Sequence, residues 1–158
     1  MTAFKILLVD DEKPFVESLA QRLRHKRFEV YCAFSGPEAL NRLEIDDTID
    51  VVVLDLKMPG LDGIETVKAI TKNHPLVETI MLTGHATIDS AVDSVKLGAV
   101  DYLTKPCDIH NLVSKITQAA SRKRDRETQL FNAKTKPYIS DRERNELIDS
   151  ILNRNSER

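Results

Sequence analysis

The sequence predicts a doubly wound α/β fold: a five-stranded parallel sheet with helices on both faces, followed by a short helical tail. Three observations predict it. Short β-type apolar runs alternate with helix-period patterns from the first residues to about residue 120, the pattern of βαβ units. ValValValLeu at 51–54 is apolar on both faces, as a strand inside a parallel sheet must be. Polar side chains stand at the ends of the apolar runs, where an open α/β sheet gathers its ligand-binding groups.

Strands are expected at 4–9, 28–33, 51–54, 77–82 and 100–104. In the second, Phe28, Val30 and Cys32 alternate with Glu29, Tyr31 and Ala33, which marks it as an edge strand. The first helix carries Phe15, Leu19 and Leu23 as one stripe. Ser35 and Glu38 form a capping box ahead of Ala39, Leu40 and Leu43. Asp62 is placed to cap a helix bearing Ile64, Val67 and Ile70, which Pro75 stops. Ile88, Ala91, Val92 and Val95 fall on one helical face, and Gly98 suits the left-handed position after its last turn. Asp108 caps the fifth helix, with Ile109, Leu112, Val113 and Ile116 facing inward.

Composition shifts after Ala120. SerArgLysArgAspArgGluThrGln at 121–129 is charged all round, and residues 122–137 either extend the fifth helix into solvent or form a charged linker. Pro137 then breaks the pattern, and Ser140 with Glu143 forms a second capping box. Within 138–158, Leu147, Ile148, Ile151 and Leu152 line one face of a short amphipathic helix. A helix of that length is marginal alone in water, so the face packs on its own domain, on a partner or on a second copy.

The 158 residues suffice for one ordinary domain, residues 1–121, plus that tail. A formal net charge of −2 exerts no general pull toward nucleic acid. No apolar run approaches the roughly 18 residues of a membrane span, and the amino terminus lacks a secretory h-region. Cys32 and Cys107 fit neither a metal pair nor a disulfide framework, and a reduced cytoplasm is expected.

Chemistry concentrates at the strand ends. Asp10 and Asp11 follow IleLeuLeuVal, Asp55 follows ValValValLeu, Thr83 follows IleMetLeu, and Lys105 follows TyrLeuThr. A parallel sheet brings these ends to one crevice. Three carboxylates there repel one another, so one takes up a proton or a cation neutralises them. Mg²⁺ suits such a site because it binds through one or two carboxylates plus a phosphate and keeps several waters. Lys105 adds a point charge for phosphoryl oxygens, and Thr83 adds a hydroxyl donor.

Four segments together resemble the receiver domain of bacterial two-component response regulators, over about residues 3–120. They are LeuValAspAspGlu at 8–12, LeuAspLeuLysMetProGlyLeuAspGly at 54–63, LeuThrGlyHis at 82–85 and AspTyrLeuThrLysPro at 101–106. The resemblance implies a flavodoxin-like (βα)5 fold with strand order 2-1-3-4-5. It implies that Asp55 accepts a phosphoryl group from a histidine kinase or phosphotransfer protein. Asp11 would be the direct Mg²⁺ ligand, Asp10 would act mainly through a water, and the Lys57 backbone carbonyl would complete the set. Thr83 and Lys105 would contact the phosphoryl oxygens, Tyr102 would be the aromatic switch, and Pro106 would follow a cis bond. Lys57 and His85 border the path of a hydrolytic water and would tune the lifetime of the phosphorylated form. With Gly84 between Thr83 and His85, these look closest to receivers of the nitrogen-regulation and dicarboxylate-transport type.

Each position also has a plainer reading. Asp10 and Asp11 alone read as a strand-end turn, Tyr102 as a half-buried strand aromatic, and His85 as a solvated loop residue. The basic cluster Arg122, Lys123, Arg124 and Arg126 reads as a solvated helix face, interrupted by Asp125 and Glu127 and without interleaved aromatics. A direct nucleic-acid partner is therefore not expected. Fewer than forty residues follow position 120, which favours a stand-alone receiver that signals to a downstream protein or dimerises through the 88–120 face. The alternative is the receiver part of a transcription regulator whose DNA-binding output is missing or lies in the tail. An aspartyl-nucleophile phosphatase fits less well, because that chemistry places Asp-x-Asp after the first strand and the best nucleophile here follows the third.

Overall fold

The computed structural model describes residues 2–56, 63–84, 95, 96 and 98–153. Five strands form one parallel sheet: β1 (Lys5–Val9), β2 (Glu29–Ala33), β3 (Val51–Leu54), β4 (Glu78–Thr83) and β5 (Asp101–Thr104). Their spatial order is β2-β1-β3-β4-β5, so the alternating second run does lie at an edge and the all-apolar third run lies at the centre. Register is set row by row: Leu8 stands beside Cys32 on one side and Val53 on the other, and Val53 beside Ile80.

Alternation of side chains divides the core in two. Ile6, Leu8, Val51, Val53, Ile80 and Leu82 face α1 (Lys13–His25) and the long α4 (Ile109–Thr135), packing on Leu23, Leu112 and Ile116. Leu7, Val9, Val52, Leu54 and Met81 face α2 (Gly36–Ile45) and α3 (Gly63–Asn73), packing on Leu43, Val67 and Ile70. Both faces of the sheet are covered, the condition that a parallel sheet requires.

Local signals start the helices. The Ser35 hydroxyl accepts from the Glu38 N–H at 3.2 Å, while the Glu38 carboxylate reaches back to the Phe34 N–H at 3.1 Å. Asp108 accepts from the His110 N–H at 3.1 Å. Gly98 has φ +118°, the left-handed backbone read from sequence, and a Cβ there would also strike Thr71 of α3. Asp62, Ile88, Ala91 and Val92, and with them most of the helix read over 88–97, lie outside the described residues.

The structure corrects one reading. Lys123 and Arg126 do not belong to a solvated helix face; they are 3% and 5% exposed. α4 runs unbroken through Thr135 and crosses the amino-terminal end of the sheet, where Asp50 and Glu78 stand at the starts of β3 and β4. Lys123 pairs with Asp50 at 3.2 Å, Arg124 with Asp50 at 3.1 Å and Arg126 with Glu78 at 3.3 Å. The acids are the reason: buried carboxylates at the strand starts need cationic partners, and this turn of α4 supplies them.

The tail folds back as α5 (Asp141–Leu152), capped by Ser140, which accepts from the Glu143 N–H at 3.1 Å. Arg126 donates to the Ile151 carbonyl at 2.7 Å, and Arg144 donates to the carbonyls of Ala133, Lys134 and Lys136 at the end of α4. The apolar face of α5 thus rests on its own chain, although no residue of that helix is fully buried. Among the described residues no helix is long and apolar enough to cross a membrane.

Candidate functional site

The ladder hydrogen bonds continue one residue beyond the strands and deliver the polar groups to one place. Asp10 donates its N–H to Ala33 at 3.2 Å, Asp55 to Val9 at 2.9 Å and Lys105 to Thr83 at 2.9 Å, through the backbone in each case. Asp10, Asp55 and Thr83 are buried, at 3%, 3% and 0% exposure, whereas Asp11 is exposed. One carboxylate oxygen from each of Asp10, Asp11 and Asp55 lies within 4.8 Å of the others.

The start of α3 lies directly against the end of β3. The Gly63 N–H donates to the Leu56 carbonyl at 2.7 Å, and a Cβ on Gly63 would lie 2.3 Å from the Asp55 carbonyl oxygen. Only a residue without a side chain lets α3 begin this close to the end of β3.

Charge at the site is only partly compensated. The Lys105 ammonium contacts Asp10 closely, lies 3.6 Å from Glu12 and sits over the Phe15 ring at 4.1 Å from its centroid. Burial pulls the Lys105 pKa down, but Asp10, Asp55 and Glu12 outweigh it and the net shift is upward. Asp55 is held above the ordinary carboxylate range, first by burial and then by the charge of Asp10, against the lowering effects of Thr83, Lys105 and the Leu56 N–H. The Thr83 hydroxyl and the Leu56 N–H hydrogen-bond the Asp55 carboxylate, yet its Oδ1 has no partner among the described residues.

A buried, unpartnered carboxylate oxygen beside two further carboxylates is a place for a hard cation, and an all-oxygen donor set fits Mg²⁺ better than a softer metal. Residues 6–117 match the family model described as response regulator receiver domain. The chain belongs to this receiver family. Its fold is similar to that of a CheY-like receiver domain protein from Methanospirillum hungatei JF-1, with 29% identity and a TM-score of 0.74 over 78% of this chain and 98% of that one. It is likewise similar to a receiver domain protein from Clostridium thermocellum, at 37% identity and a TM-score of 0.73 over 77% and 97%. The beryllofluoride-activated NtrC4 receiver domain, a dimer in solution, matches at 31% identity and a TM-score of 0.71 over 75% and 98%.

In this receiver, the sequence reading brought Asp10, Asp11, Asp55, Thr83 and Lys105 to one end of the sheet, and that is where they stand. Tyr102 is half-buried on β5 beside Met81 in the strand register. The Lys105–Pro106 peptide bond is cis. Lys57 and His85 lie outside the described residues. Sequence reasoning missed Phe15, taken as core only, and Glu12; both face Lys105. A weak signal existed, since residues 12 and 15 occupy the turn that follows the acidic pair.

Proposed function

We propose that this receiver accepts a phosphoryl group on Asp55 in a Mg²⁺-dependent reaction and thereby changes which of two conformations dominates. One observation carries the proposal: the Asp55 carboxylate is buried with one oxygen that has no partner among the described residues, lies within 4.8 Å of Asp10 and Asp11 oxygens, and shares its pocket with Thr83 and Lys105.

In the transfer, an Asp55 oxygen forms the new O–P bond in line with the breaking N–P bond of a phosphohistidine, whose imidazole leaves with the electron pair and takes up a proton. Asp10 and Asp11 would hold Mg²⁺, with Asp55 and the Lys57 carbonyl completing the protein ligands. When bound, the ion supplies neutralising charge to the equatorial oxygens. Lys105 supplies the second positive charge and Thr83 the hydroxyl donor. Asp55 is partly disposed to protonate, and neighbouring positive charge restores the carboxylate that attacks.

The new phosphoryl oxygens draw Thr83 and Lys105 inward, and Tyr102 packs into the space that Thr83 leaves. Reversing a 1:99 population to 99:1 requires about 5.5 kcal/mol of preferential interaction, which new contacts of the phosphoryl oxygens with Lys105 and Thr83, together with the charge a bound ion would supply, are placed to provide. Lys57 and His85 tune how long the modification lasts. The chain acts on its own Asp55 rather than turning over an external substrate, in a cytoplasmic setting. It receives the group from a histidine kinase or phosphotransfer protein, and passes the signal to a protein target or a second copy through the 88–120 face, of which β5 and the first half of α4 are described.

Incubation of the intact chain with Mg²⁺ and a small phosphodonor should add one phosphoryl mass at Asp55, located by peptide mass spectrometry. Asp55→Asn should abolish it; label that persists in that variant rejects the assignment.

A further inference from the structure

We infer that Phe15 is a positioning residue for Lys105: its ring holds the ammonium at the pocket wall by a cation–π contact that does not depend on a carboxylate. The inference rests on the phosphoacceptor reading above and goes beyond it, because it assigns a role to a side chain of α1 that otherwise reads as core.

Phe15 is half-buried, one side against the apolar cluster formed by α1, α4 and the sheet, the other presented to the Lys105 ammonium at 4.1 Å from the ring centroid. Lys105 is only 14% exposed on its side chain, so the contact is largely shielded from water, the condition under which cation–π attraction strengthens. The other two partners of the ammonium are poor permanent anchors. Glu12 is 3.6 Å away and 63% exposed, so solvent screens it. Asp10 is the closest partner, but it also belongs to the triad of converging carboxylates. Once Asp10 serves as a cation ligand, its oxygens are no longer available to Lys105 alone, and a lysine on a four-carbon stem has water-facing rotamers to escape to. Phe15 is the partner that keeps its hold, because a ring face neither binds the cation nor is neutralised by it.

The test uses Phe15→Leu, Phe15→Tyr and the pair Phe15→Leu/Lys105→Met in the full chain, each checked for folding by circular dichroism. The first measurement is on metal-free protein. The Lys105 ε-methylene protons, shifted upfield by the ring, should move to ordinary lysine positions in Phe15→Leu and stay shifted in Phe15→Tyr. The second is the rate of Asp55 modification at saturating Mg²⁺ with acetyl phosphate. Phe15→Leu should slow it roughly fivefold, equivalent to about 1 kcal/mol of lost cation–π contact. Phe15→Tyr should restore the rate, and Phe15→Leu should have no further effect once Lys105 is Met.

Unshifted Lys105 protons in the wild type, an unchanged rate in Phe15→Leu, or equal slowing in the Lys105→Met background would each overturn the inference. Failure of the wild type to be modified at Asp55 would instead reject the phosphoacceptor reading, and the proton shifts would still decide whether Phe15 holds Lys105.

Discussion

Arg126→Met offers the sharpest perturbation of the architecture. Arg126 is 5% exposed and pairs with Glu78, itself 1% exposed, at 3.3 Å; Glu78 Oε2 already lacks a partner among the described residues. Methionine refills much of the guanidinium volume but leaves a buried carboxylate with no cation. Removing one member of a buried pair costs about 3–5 kcal/mol, whereas replacing both members by apolar groups is near neutral. The Arg126 bonds to the Pro75 and Ile151 carbonyls are lost with the same side chain, and their cost is counted within that range. Arg126→Met alone should therefore lower unfolding stability by about 3–5 kcal/mol. At about 2–4 °C per kcal/mol for a chain of this size, Tm falls by roughly 6–20 °C. Arg126→Met with Glu78→Leu should recover most of the loss and retain only the cost of the orphaned carbonyls. Urea unfolding monitored by circular dichroism measures both. A single-variant loss under about 1 kcal/mol, the scale of an exposed pair, would refute the buried clamp, as would a double variant no better than the single.

Asp55→Asn should stabilise the metal-free protein at neutral pH. Burial raises the Asp55 pKa in the folded state, so this group's contribution to stability is complete in acid and is lost as pH rises through that folded value, a loss the Asn variant lacks; melting curves across pH that run parallel would contradict this. Asp11→Ala should weaken Mg²⁺ binding and leave the fold intact, because Asp11 is exposed and its carboxylate oxygen lies within 4.8 Å of those of Asp10 and Asp55; calorimetric titration showing unchanged affinity would remove it from the proposed ligand set. Gly63→Ala should cost more stability than any propensity gain returns, since its Cβ meets the backbone of Asp55 and Leu56 just past β3 rather than a movable side chain; a variant as stable as wild type in urea would show that α3 shifts freely. Removal of residues 138–158 should leave Asp55 modification within about twofold while changing association, and an identical solution mass before and after would exclude the tail from self-association.

Local information was readable and non-local information was not. The Ser35–Glu38 box, the Asp108 and Ser140 caps and the left-handed Gly98 follow from residues within a few positions of one another, and all stand where the sequence placed them. The edge position of β2 could be read because its alternation reports what each face meets. The site was legible for a different reason: a parallel sheet aligns its strand ends, so knowing the strands means knowing that Asp10, Asp55, Thr83 and Lys105 converge. The ionic clamp had no such shortcut. Arg126 and Glu78 are 48 residues apart and Arg124 and Asp50 are 74 apart, and a charged helix turn looks identical whether it meets water or buried acids. Phe15 was hidden because an aromatic at the right helical spacing is already explained by the core.

The two ends of the sheet show how the same side chains serve opposite purposes. At the amino-terminal end Asp50 has every claim met, by Lys123, Arg124 and the Lys5 N–H at 2.8 Å. That geometry closes off further chemistry, because an additional cation would find its oxygens taken. At the carboxyl-terminal end three acids converge with, among the described residues, one nearby ammonium, itself shared between Asp10, Glu12 and the Phe15 ring. Repulsion among those acids means that any arrangement that adds positive charge gains from relieving it. Under the proposed function, phosphoryl charge on Asp55 would make both Lys105 and a cation more favourable still, and that dependence of one charge on the other would couple modification to a change of conformation. A site neutralised like that around Asp50 has no such imbalance to relieve, so among the described residues it is the carboxyl-terminal end of the sheet that gains from added positive charge.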